Sequence, residues 1–148
     1  MNDFLTLDKQ LCFAVYETSA EFTKLYKNVL KPFGLTYPQY LVLLALWERD
    51  EITMKELGDQ VNLGTGTLTP MINRMQDNGW LRKERSKEDE RKVYILLEKK
   101  AHNEKSNITH KVLKEIERCN ISLTAYEELM IRLNDLKQKL KSREPSSF

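Results

Sequence analysis

The chain has 148 residues, 41% of them hydrophobic, enough for one domain with a real core and too few for two independent ones. A formal net charge of +2 gives no overall basic field, so nucleic-acid contact would require basic side chains gathered in one place. Residues 1–7 include Asp3 and no apolar core, and no apolar run reaches bilayer length, so a cytoplasmic protein without secretory leader or membrane partner is expected.

Residues 6–31 carry Leu7, Leu11, Ala14, Val15, Thr18, Phe22, Leu25, Val29 and Leu30 at spacings of three and four, which predicts one long amphipathic helix ended by Lys31-Pro32. On that helix Cys12 and Tyr16 share a face. Tyr26 lies at a similar azimuth about 21 Å along the axis, out of reach of Cys12 in the same chain. A helix starting near residue 6 places Cys12 past its first turn, where the helix dipole contributes little. Thr36 to Trp47 reads as a second, largely buried helix, with Pro38 in its first turn.

Residues 52–97 hold the densest pattern. Thr53 is a candidate N-cap with Glu56 as its capping-box partner, and Met54, Leu57 and Val61 line one face of a helix running from about Met54 to Val61. Asn62-Leu63-Gly64 follows as a corner, where glycine would permit the positive φ of a tight turn. A second helix from Thr65 to about Asn78 turns Leu68, Ile72 and Met75 inward. It leaves Thr65, Gly66, Thr67, Thr69, Asn73 and Arg74 on other faces, residue types suited to phosphates and base edges. Pro70 inside this segment implies an irregular first turn or a later start.

Asn78-Gly79 supplies a left-handed C-cap, and Trp80–Arg85 and Lys92–Leu97 read as strands around the charged loop Ser86–Arg91. Alone, such a loop is a solvated hairpin tip. Beside the two helices it reads as a wing, with Arg91 suited to a minor groove and Asp89 placed to orient Arg91. The order predicts a mainly α fold with a small β-hairpin wing, a winged helix-turn-helix, and makes double-stranded DNA the leading partner.

After the wing, residues 100–119 and 124–141 read as two helices. The second takes Thr124 as N-cap and Glu127 as capping-box partner, with Leu129, Leu133, Leu136 and Leu140 inside. Residues 142–148 are expected to be a disordered tail. The single domain then divides into N-terminal helices (5–47), the winged reader (52–97), C-terminal helices (98–141) and the tail.

Terminal helices this long cannot bury their apolar stripes on so small a reader, which points to a two-fold homodimer joined through both sets of helices. Two readers related by a dyad would bind a pseudo-palindromic operator with half-sites about ten base pairs, or a multiple, apart. Cys12 and Cys119 do not form a zinc motif, and His102 and His110 lack metal-ligand spacing, so neither metal nor cofactor is expected. The two thiols are either buried and inert or redox-active.

Leu11-Cys12-Phe13, the run from Gly34 to Leu43, Gly66-Thr67-Leu68-Thr69-Pro70-Met71 and Asp89-Glu90-Arg91 together resemble the MarR family, and within it the OhrR-type thiol sensors of organic hydroperoxides. The likeness covers roughly residues 5–97 with specific motifs, and the C-terminal helices only in pattern. It implies a dimeric winged-helix repressor, not an enzyme, whose cysteine at the position of Cys12 is oxidised by an organic hydroperoxide, after which the protein leaves its operator. It also implies that Tyr26 and Tyr37 of the partner approach Cys12, joining Tyr16. Phenolic hydrogen bonds to sulfur would then favour the thiolate that peroxide attacks, the alternative being ordinary dimer packing. Cys119 occupies a region where some members of the subfamily carry a resolving cysteine, and is either that or an incidental thiol. The rival readings are a MarR-type repressor released by a phenolic or other small ligand without cysteine chemistry, and a cysteine-based peroxidase.

Overall fold

The computed structural model describes residues 2–145. The chain falls into two compact units, residues 1–112 and 113–148, with the boundary inside one long helix.

The first unit opens with two 3₁₀ turns, Asn2–Leu5 and Leu7–Lys9, before helix α1, Leu11–Leu30. The expected helix from residue 6 is therefore shortened. Gln10 is extended, at φ −83° and ψ 122°, its backbone N–H donates to the Leu7 carbonyl and its side-chain amide donates to the carbonyl of Phe4. These bonds close the preceding turns on themselves and leave Gln10 as the N-cap of α1. Only Val29 and Leu30 of α1 are buried, so most of its apolar stripe lies open.

Helix α2, Tyr37–Glu48, starts with a complete capping box: the Thr36 hydroxyl accepts from Gln39 N–H, and the Gln39 carboxamide oxygen accepts from Thr36 N–H. Tyr40, Val42, Leu43 and Leu46 fill the core, while Leu41 and Leu44 remain exposed. Past its end, Asp50 Oδ1 accepts from Glu51 N–H at 2.8 Å and from Leu97 N–H at 3.0 Å, tying the α2 exit to a strand that arrives much later in sequence.

Strand β1, Ile52–Thr53, leads directly into α3, Met54–Val61. Thr53 caps α3 as expected, its hydroxyl accepting from Glu56 N–H at 3.1 Å. The box is only half made, because the Glu56 carboxylate faces Arg49 at 3.9 Å instead. The corner also differs from expectation. Asn62 carries the positive φ of 57°, whereas Gly64 has φ −73° and serves as N-cap of α4, Thr65–Asp77. The glycine that the corner requires is Gly58, buried in α3, where an added Cβ would lie 2.9 Å from the Leu63 carbonyl oxygen.

Helix α4 starts at Thr65 and holds Pro70 inside it, so the proline neither delays nor breaks the start. It stops at Asn78 with Gly79 at φ 84°, where Gly79 N–H donates to Gln76 and Trp80 N–H to Met75, as the Asn-Gly pair predicts. Strands β2, Leu81–Arg85, and β3, Val93–Leu97, form the hairpin. The sheet has the order β1-β3-β2, all antiparallel, with Ile52 opposite Ile95 and Lys83 opposite Ile95 on the other side. The two-residue β1 adds an edge strand to the predicted hairpin, a pairing too short to leave a period-two pattern in the sequence. Leu57, Leu68, Ile72, Met75, Trp80 and Ile95 pack as the centre of this unit, all essentially inaccessible.

Helix α5, Lys99–Arg118, contributes buried Ala101, Ile108 and Val112 to the first unit, and Trp47 Nε1 donates to the Ala101 carbonyl at 3.2 Å. In the second unit α6, Leu123–Lys141, is capped by Ser122, whose hydroxyl accepts from Ala125 N–H at 3.1 Å, so Thr124 is not the cap and Glu127 forms no box. None of its residues is buried: Leu129, Leu133 and Leu140 are exposed and Leu136 is half-buried, against the expectation that they lie inside. The expected tail begins at Ser142, the C-cap of α6, and residues 146–148 lie outside the described residues.

Candidate nucleic-acid interface and thiol sensor

The reader presents α4 and the wing around one cleft. Gly64 has no side chain with which to cap α4, which leaves the first-turn N–H groups of Thr65 and Gly66 for an anion. Gly66, Thr67, Pro70, Asn73 and Arg74 are exposed along α4, and Thr69 is half-buried. Between the starts of α3 and α4 and the hairpin lies a cleft of about 960 Å³, lined by Lys55, Lys83, Arg85, Arg91 and Lys92, with Thr65 and Thr69 on its α4 side. Glu56 and Asp59 are the acidic side chains among its lining residues. Five cations therefore outnumber two carboxylates in a chain whose overall excess is small, which is the local gathering that the composition demanded.

Lys55, Lys83, Arg85 and Lys92 did not stand out in the sequence. Their signal lies in strand register and helix packing, which bring separate runs to one wall. At the wing, Asp89 Oδ1 accepts from both the backbone N–H and Nε of Arg91, at 3.1 and 3.3 Å, so Asp89 orients the arginine while most of its side chain stays in solvent. Arg85 Nη1 donates to the Glu90 carbonyl at 2.7 Å and braces the same loop from β2.

The thiol region lies on α1. Because the helix begins at Leu11, Cys12 is its second residue, within the first turn, and the expectation that it sits beyond the reach of the helix dipole is reversed. Both Cys12 and Cys119 are free and exposed, so neither thiol is buried within the chain. Tyr16 is exposed one turn on, its ring stacked with Phe13 at 6.4 Å. Tyr26, near the far end of α1, stacks on Tyr37 at 4.5 Å with the rings within 3° of parallel, and on Tyr40 at 5.4 Å. Thus Tyr26 and Tyr37 form one unit with a third ring, Tyr40, which sequence spacing did not single out, and Cys12 stands at the opposite end of the helix. Cys119 lies just past α5 in the second unit, its Sγ donating to the Glu115 carbonyl at 3.5 Å ahead of the left-handed Asn120. Among the described residues no cluster of His, Cys, Asp and Glu is arranged to hold a metal ion, and no helix is long and apolar enough to cross a membrane.

Residues 24–108 match the family described as transcriptional regulator SarA/Rot. The organic hydroperoxide resistance transcriptional regulator of Bacillus subtilis strain 168 is 50% identical over 95 residues, 64% of this chain and 65% of that protein, so the chain spans just under two thirds of its length. AbfR of Staphylococcus epidermidis, solved overoxidised and bound to DNA, is 34% identical with a TM-score of 0.81, covering 95% of this chain and 96% of that one. A MarR-like transcription regulator structure from Bacillus cereus ATCC 10987, at 20% identity and a TM-score of 0.76 over 92% of this chain and 98% of that one, shares the fold. These relatives are regulators rather than enzymes. With its winged helix-turn-helix of the MarR type, the chain belongs to the SarA/Rot family of transcriptional regulators.

Proposed function

We propose that this protein is a homodimeric, DNA-binding repressor whose operator affinity falls when an organic hydroperoxide oxidises Cys12. In this reading α4 enters the major groove by its first turns, with Thr65, Thr67 and Thr69 near base edges and phosphates and Asn73 and Arg74 further along. Arg91, aimed by Asp89, reaches the adjacent minor groove, and the phosphate backbone runs past Lys55, Arg85 and Lys92 of the basic cleft. The observation that carries the redox half is the position of Cys12: a free, exposed thiol in the first turn of α1, on a helix whose apolar stripe is uncovered. The likeness to a hydroperoxide-resistance regulator supports the choice of oxidant.

The chemistry is a two-electron oxidation. The Cys12 thiolate attacks the peroxide O–O bond, sulfur takes one oxygen as a sulfenic acid, and the other oxygen leaves as the alcohol once protonated. If the partner's thiol at position 119 then attacks the sulfenic sulfur, a disulfide forms and water leaves; otherwise a small thiol does the same. Antiparallel packing of two α1 helices would bring the partner's stacked Tyr26 and Tyr37 to Cys12. Adding oxygen there and removing the negative charge breaks the phenol contacts, and because the two rings are stacked, they shift together. A coupling of about 1–3 kcal/mol weakens DNA binding roughly 5- to 150-fold.

The test is the affinity of wild type and Cys12→Ser for a duplex selected by the reduced protein, at fixed salt, before and after one equivalent of cumene hydroperoxide, with dithiothreitol added last. Release of wild type, resistance of the variant and recovery with reductant are expected, and intact mass then reports whether Cys119 joins a disulfide. Equal retention of both proteins on DNA would overturn the peroxide reading in favour of a repressor released by a small ligand.

A further inference from the structure

The strand entering the wing is fastened to the C-terminal half of α4 at one residue. Lys83 N–H donates to Gln76 Oε1 at 3.0 Å, and Lys83 Nζ donates to Asn73 Oδ1 at 2.5 Å. Because an ammonium can only donate, the amide atom facing it must be oxygen, and the Asn73 NH₂ is the group left for a ligand. The backbone bond to Gln76 holds Lys83 in register with α4, so the ammonium does not depend on its flexible stem alone for its place.

We infer that Lys83 and Asn73 act as one composite reader of acceptor-rich base edges, with Lys83 as a specificity-determining residue; this rests on the DNA-binding reading above. An asparagine alone offers one acceptor and one donor, the pair that matches adenine N6 and N7. With an ammonium on its oxygen, the edge becomes a row of donors: the Asn73 NH₂ and the remaining Lys83 N–H groups. Guanine presents two acceptors, N7 and O6, in the major groove, and matches that row. Adenine brings its N6 donor against a positive charge and is disfavoured. Lys83 also lines the basic cleft, so the same ammonium stands where bound DNA would pass.

The experiment selects binding sites from a randomised duplex pool with the reduced, full-length protein, its Lys83→Met and Asn73→Ala variants, and Lys83→Gln as a neutral residue that still donates. Wild type is expected to enrich guanine over adenine by about ten-fold or more at one position in each half-site. Lys83→Met is expected to turn that position toward adenine, Lys83→Gln to lie between, and Asn73→Ala to lose the preference. An unchanged base profile in Lys83→Met, with affinity reduced equally on all sequences and a shallower salt dependence, would make Lys83 a phosphate contact and overturn the inference. Failure of the wild type to enrich any sequence would instead remove the DNA-binding reading and this inference with it.

Discussion

Replacing Gly58 by alanine puts a methyl group 2.9 Å from the backbone carbonyl oxygen of Leu63, an atom that cannot swing aside as a side chain would. The corner between α3 and α4 must open to admit it, and Leu63 N–H already donates to the Gly58 carbonyl at 2.9 Å, so both sides of the contact are constrained. Gly58→Ala is expected to cost about 1–3 kcal/mol in urea unfolding, in the range of overpacked core substitutions, and to weaken DNA binding by moving α4. Gly66→Ala is the control. An added Cβ meets nothing within 4 Å there, and alanine in a helix is favoured over glycine by about 1 kcal/mol, so stability should rise. If both variants unfold at the same urea concentration as wild type, the close approach does not govern the corner.

Helix caps decide the second level, and they show which parts of the fold could be read in advance. The N-cap of α3 and the Asn-Gly stop of α4 were legible because each is a local bargain between neighbouring residues. The start of α6 was not, because Ser122 and Thr124 are both good caps two residues apart and only the backbone at Ser122, φ −66° and ψ 156°, selects between them. Ser122→Ala is therefore expected to lose about 1 kcal/mol of stability or α6 helicity by circular dichroism and urea titration, and Thr124→Ala to lose much less. The reverse order would place the cap at Thr124. The early start of α1 failed for a similar reason: apolar spacing continues through Leu7, but the bonds of Gln10 stop the helix short of it. Of the residues that line the basic cleft, Thr65, Thr69 and Arg91 stand out in the sequence because one segment carries each. Lys83 and Arg85 do not, since their place depends on β2 pairing with β3 and on Gln76 reaching back across the turn.

At the scale of the whole molecule, α1 and α6 each leave large apolar side chains open to solvent. Leu11 of α1 is 60% exposed, and Ile131 and Leu133 of α6 are 70% and 49% exposed. Each unit thus carries its own exposed apolar helix face, and a second copy offers the same stripes in return, as an isologous two-fold contact requires. Reduced protein should sediment as a dimer, and Leu11→Glu with Leu133→Glu should shift it to monomer. Among the described residues the buried hydrophobic side chains all lie between Val29 and Val112, so the monomeric variant should keep its winged reader folded, which the unchanged β-hairpin amide shifts would report. Its operator affinity should nevertheless fall by about 10²- to 10⁴-fold, because each reader then binds without the effective concentration its partner supplies. The salt dependence separates this from local damage. Each lost phosphate contact removes about 0.9 from the slope of log K against log salt, so a monomer should show close to half the dimer slope. A monomer with the full slope and affinity would mean that one chain reads the whole site, and the two-fold account of this regulator would fail.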